Sequence, residues 1–458
     1  MARRIRFNAF AQNAVGHQSP GLWRHPEDRS SHYTDIEHWT DLARVLERGI
    51  FDGIFFADVL GAYDVYRGDT APALRAAAQV PINDPLLLVP VMASVTTHLG
   101  FGVTANTAAE HPFPFARRMS TLDHLTKGRI GWNIVTGYLE SASANFGVKP
   151  MPHDERYDHA DEYVEVVRKL WDISWEDDAV VRDAAAGVFT DPAKVHPIEH
   201  SGRWFDVPGF HLSEPSPQRT PVIYQAGSSP RGVQFAARHA EAIFVAASSP
   251  ASLADTVRRV RQALVDAGRE PDSARIYVKA TVVTGPTSEA AHARHADLRQ
   301  YADVEGALSL VSGWMGQDLS RFGLDEPLAA ISGGFGVHTY ASSFSGTKDD
   351  GSPWTVRDLA ERAAIGGLGT LFVGAGAEVA DAMEQLVAET DVDGFNLAYT
   401  ITPGSFTDVV DHVVPELQRR GRYPTAYDEG TLRRKLLGHD RRLPLPGTTR
   451  TTEGEPPS

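Results

Sequence analysis

Apolar residues in this chain gather in short, dense runs. IRFNAF (5–10), FDGIFFA (51–57), LGFGVTA (99–105), RIGWNIV (129–135), PVIYQA (221–226), EAIFVA (241–246), RIYVKATVV (275–283) and DGFNLAYT (393–400) are bounded by Gly, Pro and Asp. Most lack the apolar/polar alternation of a half-exposed strand, which is the pattern of strands covered on both faces. Between them the period changes to that of a helix. Residues 35–48 place Ile36, Trp39, Leu42, Ala43 and Leu46 on one side, with Thr34 and Glu37 as a capping box and Gly49 as the stop. Residues 155–171 align Tyr157, Ala160, Val164, Val167 and Trp171, with acids at the start and Arg168 and Lys169 near the end, as the helix dipole favours. Residues 378–388 and 405–420 are also amphipathic.

About eight such strand–helix units predict a parallel sheet closed as a (β/α)8 TIM barrel. An open doubly wound sheet is the other arrangement of the same units. Segments 60–82, 172–220 and 285–370 are too long for minimal connections and read as insertions, expected at the C-terminal face of the strands, where active sites form. A single barrel domain is expected over 1–443, followed by a disordered tail over 444–458. GTLFVGAGAEVAD (369–381) contains G-x-G but neither the third glycine nor the later acid of a dinucleotide fingerprint, so a structural strand–helix turn is expected there.

Composition narrows the chemistry. A net charge of −15 argues against nucleic acid, whose phosphates need a basic face. The absence of cysteine excludes disulfides, thiolate metal sites and cysteine nucleophiles, and agrees with a cytoplasmic location. The start is positively charged but has no apolar h-region, so no secretory signal is expected. PLLLVPVMASV (85–95) is too short to span a bilayer.

In a parallel barrel the chemistry gathers just past the strands. Asn13 and His17 follow the first strand, Asp58 and Tyr63 the second, Thr104 and Asn106 the third, Thr136 and Tyr138 the fourth, and Gln225, Ser228 and Ser229 the fifth. QAGSSPRG (225–232) leads from an apolar strand into a helix start, where backbone N–H groups can hold a phosphate, although a plain serine-capped turn fits as well. It is not a G-x-S-x-G elbow, which weakens a serine hydrolase. In MPHDERYDHADEY (151–163), one arrangement makes His153, Asp154, His159 and Asp161 a metal cluster. Another puts His153 and Tyr157 on one side of a helix start capped by Asp154, ready to donate to a phosphate. The third is an exposed, charged helix start. No metal is assigned. His17, beyond the first strand, suits an acid, base or donor near neutral pH.

The stretch GRIGWNIVTGYLESASANFG (128–147) resembles the flavin-dependent monooxygenases grouped with nitrilotriacetate monooxygenase component A. That group includes EDTA, dibenzothiophene-sulfone and long-chain-alkane monooxygenases, within the bacterial-luciferase-like superfamily. The likeness continues through residues 153–175, DPAKVHPIEHSGRWFDVPG (191–209), SPQRTPVIYQAGSSPRG (216–232) and PGSFTDVVDHVVPELQRRG (403–421). It implies a luciferase-like barrel binding FMN, with Asp58, Thr104 and Thr136 lining the flavin and His153, Tyr157, Ser228 and Ser229 holding its phosphate and ribityl tail. It implies the oxygenase half of a two-component system. A separate NAD(P)H:flavin reductase would supply FMNH2, and a C4a-(hydro)peroxyflavin formed with O2 would oxygenate a small organic substrate. Similar proteins are homodimers or homotetramers. His17 would hydrogen-bond the peroxide or relay a proton, while Tyr63, Gln79 and Tyr138 match positions lining the substrate pocket of the alkane-oxidising relative. Tyr63, Tyr66, Trp314, Phe335 and Tyr340 would make that pocket aromatic, or serve loop packing. The chain departs from the group at Gly137 and Tyr138, where relatives often have Ser and then His or Asn, which argues against alkane hydroxylation. Rival readings are an F420-dependent hydride-transfer enzyme on the same fold, a non-catalytic flavin-binding protein and a metal-dependent barrel hydrolase.

Overall fold

In the computed structural model, which describes residues 4–137, 139–147, 149, 151–247, 249–328, 348 and 351–445, each of the eight apolar runs becomes a strand. They are β1 (Arg6–Gln12), β2 (Gly53–Ala57), β3 (Gly100–Asn106), β4 (Ile130–Val135), β5 (Val222–Gln225), β6 (Ala242–Val245) and β7 (Arg275–Gly285), with the last run forming β9 (Gly394–Ala398). The strand–helix turn expected at 369–381 adds β8 (Thr370–Ala375). Successive strands pair in parallel from β1 to β7, β7 pairs with β9, and β9 returns to β1. That closure selects the barrel over the open sheet. β8 lies outside the ring, against the C-terminal half of β7, from Ala280↔Thr370 to Gly285↔Ala375.

Both faces of the strands are buried, for different reasons. Outward residues such as Phe7, Ile54, Phe101, Trp132 and Phe395 join the main core beneath the helices. Inward residues make a second, aromatic layer. Phe10 stacks on Phe55 with centroids 5.2 Å apart, Phe55 on Phe244 at 4.4 Å, and Phe244 on Tyr224 at 5.5 Å. Gly131 makes room for it, since a Cβ there would lie 2.3 Å from Tyr224 Cε2. Leu432 and Leu436, from a short helix over Leu432–Leu437, pack under the layer. Beside them Arg433 donates to Glu241 at 2.6 Å, both side chains almost fully buried.

α1 (Ile36–Arg48) buries Trp39, Leu42, Ala43 and Leu46 as the pattern predicts. Two details differ. Ile36 is exposed, and the capping box does not form: the N-cap is Asp35, and no side chain caps the helix. Thr34 Oγ1 instead reaches Asp35 Oδ1 at 3.4 Å. α2 (Pro112–Leu125) precedes β4. α3 (His153–Asp172) buries the whole predicted stripe from Tyr157 to Trp171. Its N-cap is Pro152, so Asp154 lies in the first turn rather than at the cap. α4 (Pro230–His239) follows β5, α5 (Val304–Met315) and α6 (Val356–Ala363) lie between β7 and β8, and α7 (Gly376–Thr390) follows β8. Gly376 is needed at that last turn, where a Cβ would sit 2.0 Å from the His412 carbonyl oxygen.

The insertion after residue 172 is not at the C-terminal face. It joins the end of α3 to the start of β5, so it starts and finishes at the opposite end of the barrel. Its small antiparallel pair, His200–Ser201 with Asp206–Val207, packs outside α3, where Glu162 accepts from the Arg203, Trp204 and Phe205 amides. At the C-terminal end of the chain, Arg168 Nη1 donates to the Pro444 carbonyl at 2.9 Å, so the start of the expected tail is fixed to the barrel. Residues 446–458 lie outside the described residues. Among those described, no helix is long and apolar enough to cross a membrane.

Candidate functional site

Parity along the strands builds the site. Above the aromatic layer the inward positions turn polar, with Gln12 one step past Phe10, Thr104 beside Asn133, and Lys279 beside Asn396. The loops that follow β1 and β2 close over this rim. His17 is wholly buried, its ring edge-on to Phe10 at 4.4 Å and 6.0 Å from the Tyr399 ring. Gln79 Nε2 donates to the His17 carbonyl at 2.8 Å, and Gln79 Oε1 accepts from the Tyr63 hydroxyl at 3.2 Å and from Gln12 Nε2 at 3.4 Å. Trp314 Nε1, on α5, donates to the same Tyr63 hydroxyl at 3.2 Å. Gln79 adopts φ 57°, a left-handed conformation that a non-glycine residue holds only when its surroundings fix it. The structure thus brings His17, Tyr63 and Gln79 into one network. Tyr63 also serves packing, since a Cβ on Gly313 of α5 would lie 2.2 Å from its ring.

Burial and the nearby Lys279 hold the His17 imidazole neutral, its pKa lowered to about 3, with the Phe10 backbone working the other way. Asp58, just past β2, moves in the opposite sense. Burial first and Asp84 second raise its carboxyl to about 7.

A second polar group follows β3, β4 and β5. Asn133 Nδ2 donates to Thr104 Oγ1 at 3.0 Å. Thr136, Asn106, Gly137 and Arg156 line one cleft, and Arg156 Nη1 donates to the Gly137 carbonyl at 2.5 Å. Next to it the starts of α3 and α4 come together. Tyr157 is buried between them with hydrogen bonds to Ser229 and Gln225, and burial raises its pKa. Ser229 is the N-cap of α4 and accepts from the Gly232 amide at 3.1 Å. A Cβ on either Gly227 or Gly232 would lie 2.7 Å from the Tyr157 hydroxyl, so both glycines let backbone close around it. His153 is half-exposed at the α3 start, its ring 5.3 Å from that of Tyr157, and Ser228 is exposed in the turn.

The metal alternative does not form. His153 is bonded to Asp154, Asp161 is bound by Arg231, Arg238 and His239, and His159 packs against Phe205. Among the described residues no three His, Asp or Glu side chains are placed to hold a metal.

A flavin phosphate fits the chemistry of this end: serine and tyrosine hydroxyls, the amides of a helix start, and Arg156, whose buried Nε has no hydrogen-bond partner. Gln12 Oε1, Asn13 Oδ1 and Asn133 Oδ1 are buried acceptors without partners at the rim, as a ligand bearing N–H donors requires. Tyr138, Phe335 and Tyr340 lie outside the described residues. Gln12, Gln18, Asn133, Arg156 and Lys279 are additions that the sequence reading missed. Lys279 and Asn133 carried a usable signal, a polar side chain inside an otherwise apolar buried strand.

A sequence profile of the luciferase-like monooxygenases matches residues 9–394. The dimethyl-sulfide monooxygenase of Hyphomicrobium sulfonivorans is 52% identical over 439 residues, covering 96% of this chain and 91% of that protein. The long-chain alkane monooxygenase of Geobacillus thermodenitrificans is 48% identical, covering 96% and 95%. The crystal structure of a riboflavin lyase with modified FMN and riboflavin superposes with a TM-score of 0.86 at 37% identity, covering 95% of this chain and 96% of the other. The chain therefore belongs to the luciferase-like monooxygenase family and is a flavin-dependent monooxygenase.

Proposed function

We propose that this chain is the oxygenase half of a two-component system. It takes FMNH2 from a separate NAD(P)H:flavin reductase and uses O2 to oxygenate a small apolar organic substrate. The observation that carries this reading is the pairing of two features at one rim. One is an anion site built from two helix starts, Tyr157, Ser229 and Arg156. The other is a set of unpartnered amide acceptors, Gln12, Asn13 and Asn133. An elongated ligand with a phosphate at one end and a hydrogen-bonding ring at the other uses both.

Reduced FMN, when bound, supplies the electrons that activate O2. The chain's own residues do the rest. Tyr157, Ser229 and the α4 amides hold the phosphate, with Ser228 and His153 beside them, and Arg156 offsets its charge. Asp58, Thr104 and Thr136 would line the flavin ring. The Phe10–Phe55–Phe244 layer keeps water out from below. His17, buried and neutral at rest, would relay a proton, accepting one at one ring nitrogen as it releases another from the second, so that no net charge stays on the ring. Tyr63, Gln79 and Trp314, bonded to one another and to the His17 carbonyl, would form one wall of the substrate chamber. The relatives named for dimethyl sulfide and for long-chain alkanes point to a thioether or a hydrocarbon.

The test supplies the protein anaerobically with FMNH2 or, separately, with reduced F420. Bound cofactor is measured by ultrafiltration, and 18O2 is then added with dimethyl sulfide or hexadecane. FMNH2 binding and 18O in the product are expected. Selective binding of reduced F420, or a product without 18O, would overturn the reading. His17→Ala should keep FMNH2 binding while product formed per FMNH2 consumed falls. Unchanged coupling would remove His17 from the chemistry.

A further inference from the structure

Among the described residues, Lys279 is the one cation at the inward positions near His17. It stands in β7 opposite Asn396 and is buried. Its Nζ donates to Gln18 Oε1 at 2.6 Å and to the Leu368 carbonyl at 2.9 Å, with the Trp314 ring 6.0 Å away. The backbone turn around it is shaped to the contact. Gly367 has φ +71°, and a Cβ there would lie 2.1 Å from Gln18 Oε1 and 2.5 Å from Lys279 Nζ. No described carboxylate acts on the ammonium. Burial and then Arg362, on α6, lower its pKa to about 7.

The donors and acceptors dictate an order. Both partners of Lys279 Nζ are carbonyl oxygens, so the amide oxygen of Gln18 faces the lysine. The amide nitrogen of Gln18 then faces His17 Nε2, at 3.4 Å. An amide NH2 only donates, so His17 Nε2 holds the lone pair, and a neutral imidazole in that position carries its proton on Nδ1. The other groups packed on the ring do not compete for Nε2. They are the Phe10 and Tyr399 rings, with the Tyr399 hydroxyl kept un-ionised by burial, and the Phe10 backbone, which favours a proton on the imidazole, while Nδ1 is buried without a partner within hydrogen-bonding geometry. We propose that Lys279 is a positioning residue for His17: through the Gln18 amide it fixes the imidazole as the Nδ1–H tautomer. The proposal rests on His17 as the proton-handling group, and its test does not.

The test reads the ring itself. Full-length protein with 15N-labelled histidine, without added flavin or substrate, is followed by long-range 1H–15N correlation, and the His17 signals are identified by their loss in His17→Gln. The wild type should show one Nδ1–H tautomer that stays neutral near pH 6. Lys279→Met should mix the tautomers and raise the ring pKa by about one unit or more, because the nearby positive charge is gone. Gln18→Glu keeps the lysine but turns an acceptor toward Nε2, so it should invert the ring to Nε2–H. A wild type with Nε2–H, or a Lys279→Met ring unchanged in tautomer and pKa, would overturn the proposal. If Lys279→Met does not fold, Gln18→Glu decides alone, and a ring that stays Nδ1–H there overturns it. Failure of the two-component reading leaves these spectra unaffected.

Discussion

Replacing Asp58 by asparagine should raise the stability of the flavin-free chain, and only above the pH at which an ordinary aspartate ionises. In the unfolded chain this carboxyl titrates near 3.8, whereas in the folded chain burial and Asp84 hold it up to about 7. Below the lower value both states are protonated and the group contributes nothing. Between the two, rising pH ionises the unfolded chain first and draws the equilibrium toward it, and above the upper value the loss is constant. A shift of about 3 units at 1.36 kcal/mol each gives an upper bound of about 4 kcal/mol. The side chain is partly exposed, so water screening brings the expected figure to about 2–4 kcal/mol. Asparagine cannot ionise, and its carbonyl still accepts from the Val59 amide. Urea denaturation at several values from pH 4 to pH 9 reads the difference. The advantage of Asp58→Asn should be near zero at the acid end, grow to pH 7 and then level. Asp84→Asn, which keeps an acceptor for the Leu86 amide at 2.9 Å, should lower the Asp58 midpoint and shrink that advantage. A gap between wild type and Asp58→Asn that does not vary with pH would refute the reasoning.

Gly131→Ala should cost about 1–3 kcal/mol, because its Cβ meets the Tyr224 ring at 2.3 Å, and the cost should shrink in a Tyr224→Leu background. The same cost in both backgrounds, read by urea melts, would mean that the glycine serves something other than the ring. Ser229→Ala removes the cap of α4 and should lower stability by about 1 kcal/mol while weakening FMN. Flavin titration with unchanged affinity would take Ser229 out of the phosphate site. Arg433→Met leaves Glu241 buried without its partner and should cost about 3–5 kcal/mol, while Arg433→Met with Glu241→Leu should cost clearly less. Equal losses in the single and double variants would contradict a penalty from the stranded charge.

The barrel was legible because its strands are dense apolar runs, and density survives without any knowledge of partners. Helix detail was less so. Thr34 and Glu37 have the spacing of a capping box, yet Asp35 takes the cap position without a side-chain bond and leaves Ile36 in water. The insertion after residue 172 was assigned to the wrong face because its length was weighed before its place between a helix and the following strand. In the site, His17, Tyr63 and Gln79 were found one at a time by their distance past a strand. The bonds that join them are not local: Trp314 reaches Tyr63 across 251 residues, and Lys279 reaches Gln18 across 261. Such pairings depend on closure of the ring, which no sequence window contains. Arg156 was missed inside a helix start crowded with charges, where nothing in the spacing sets it apart from Asp154 or Glu155.

The ring stack of Phe10, Phe55, Phe244 and Tyr224 settles how matter moves through this protein. With Leu432 and Leu436 beneath it, the barrel is closed at that end among the described residues, so what enters the interior comes from the side where the strands finish. Cofactor, substrate and product then use the same side of the barrel. Whatever seats itself near the threshold locks in what lies deeper, so the sequence of arrivals limits the sequence of departures. A vessel closed at its base fills and empties from above, so clearing the upper chamber belongs to each turnover alongside the chemistry inside.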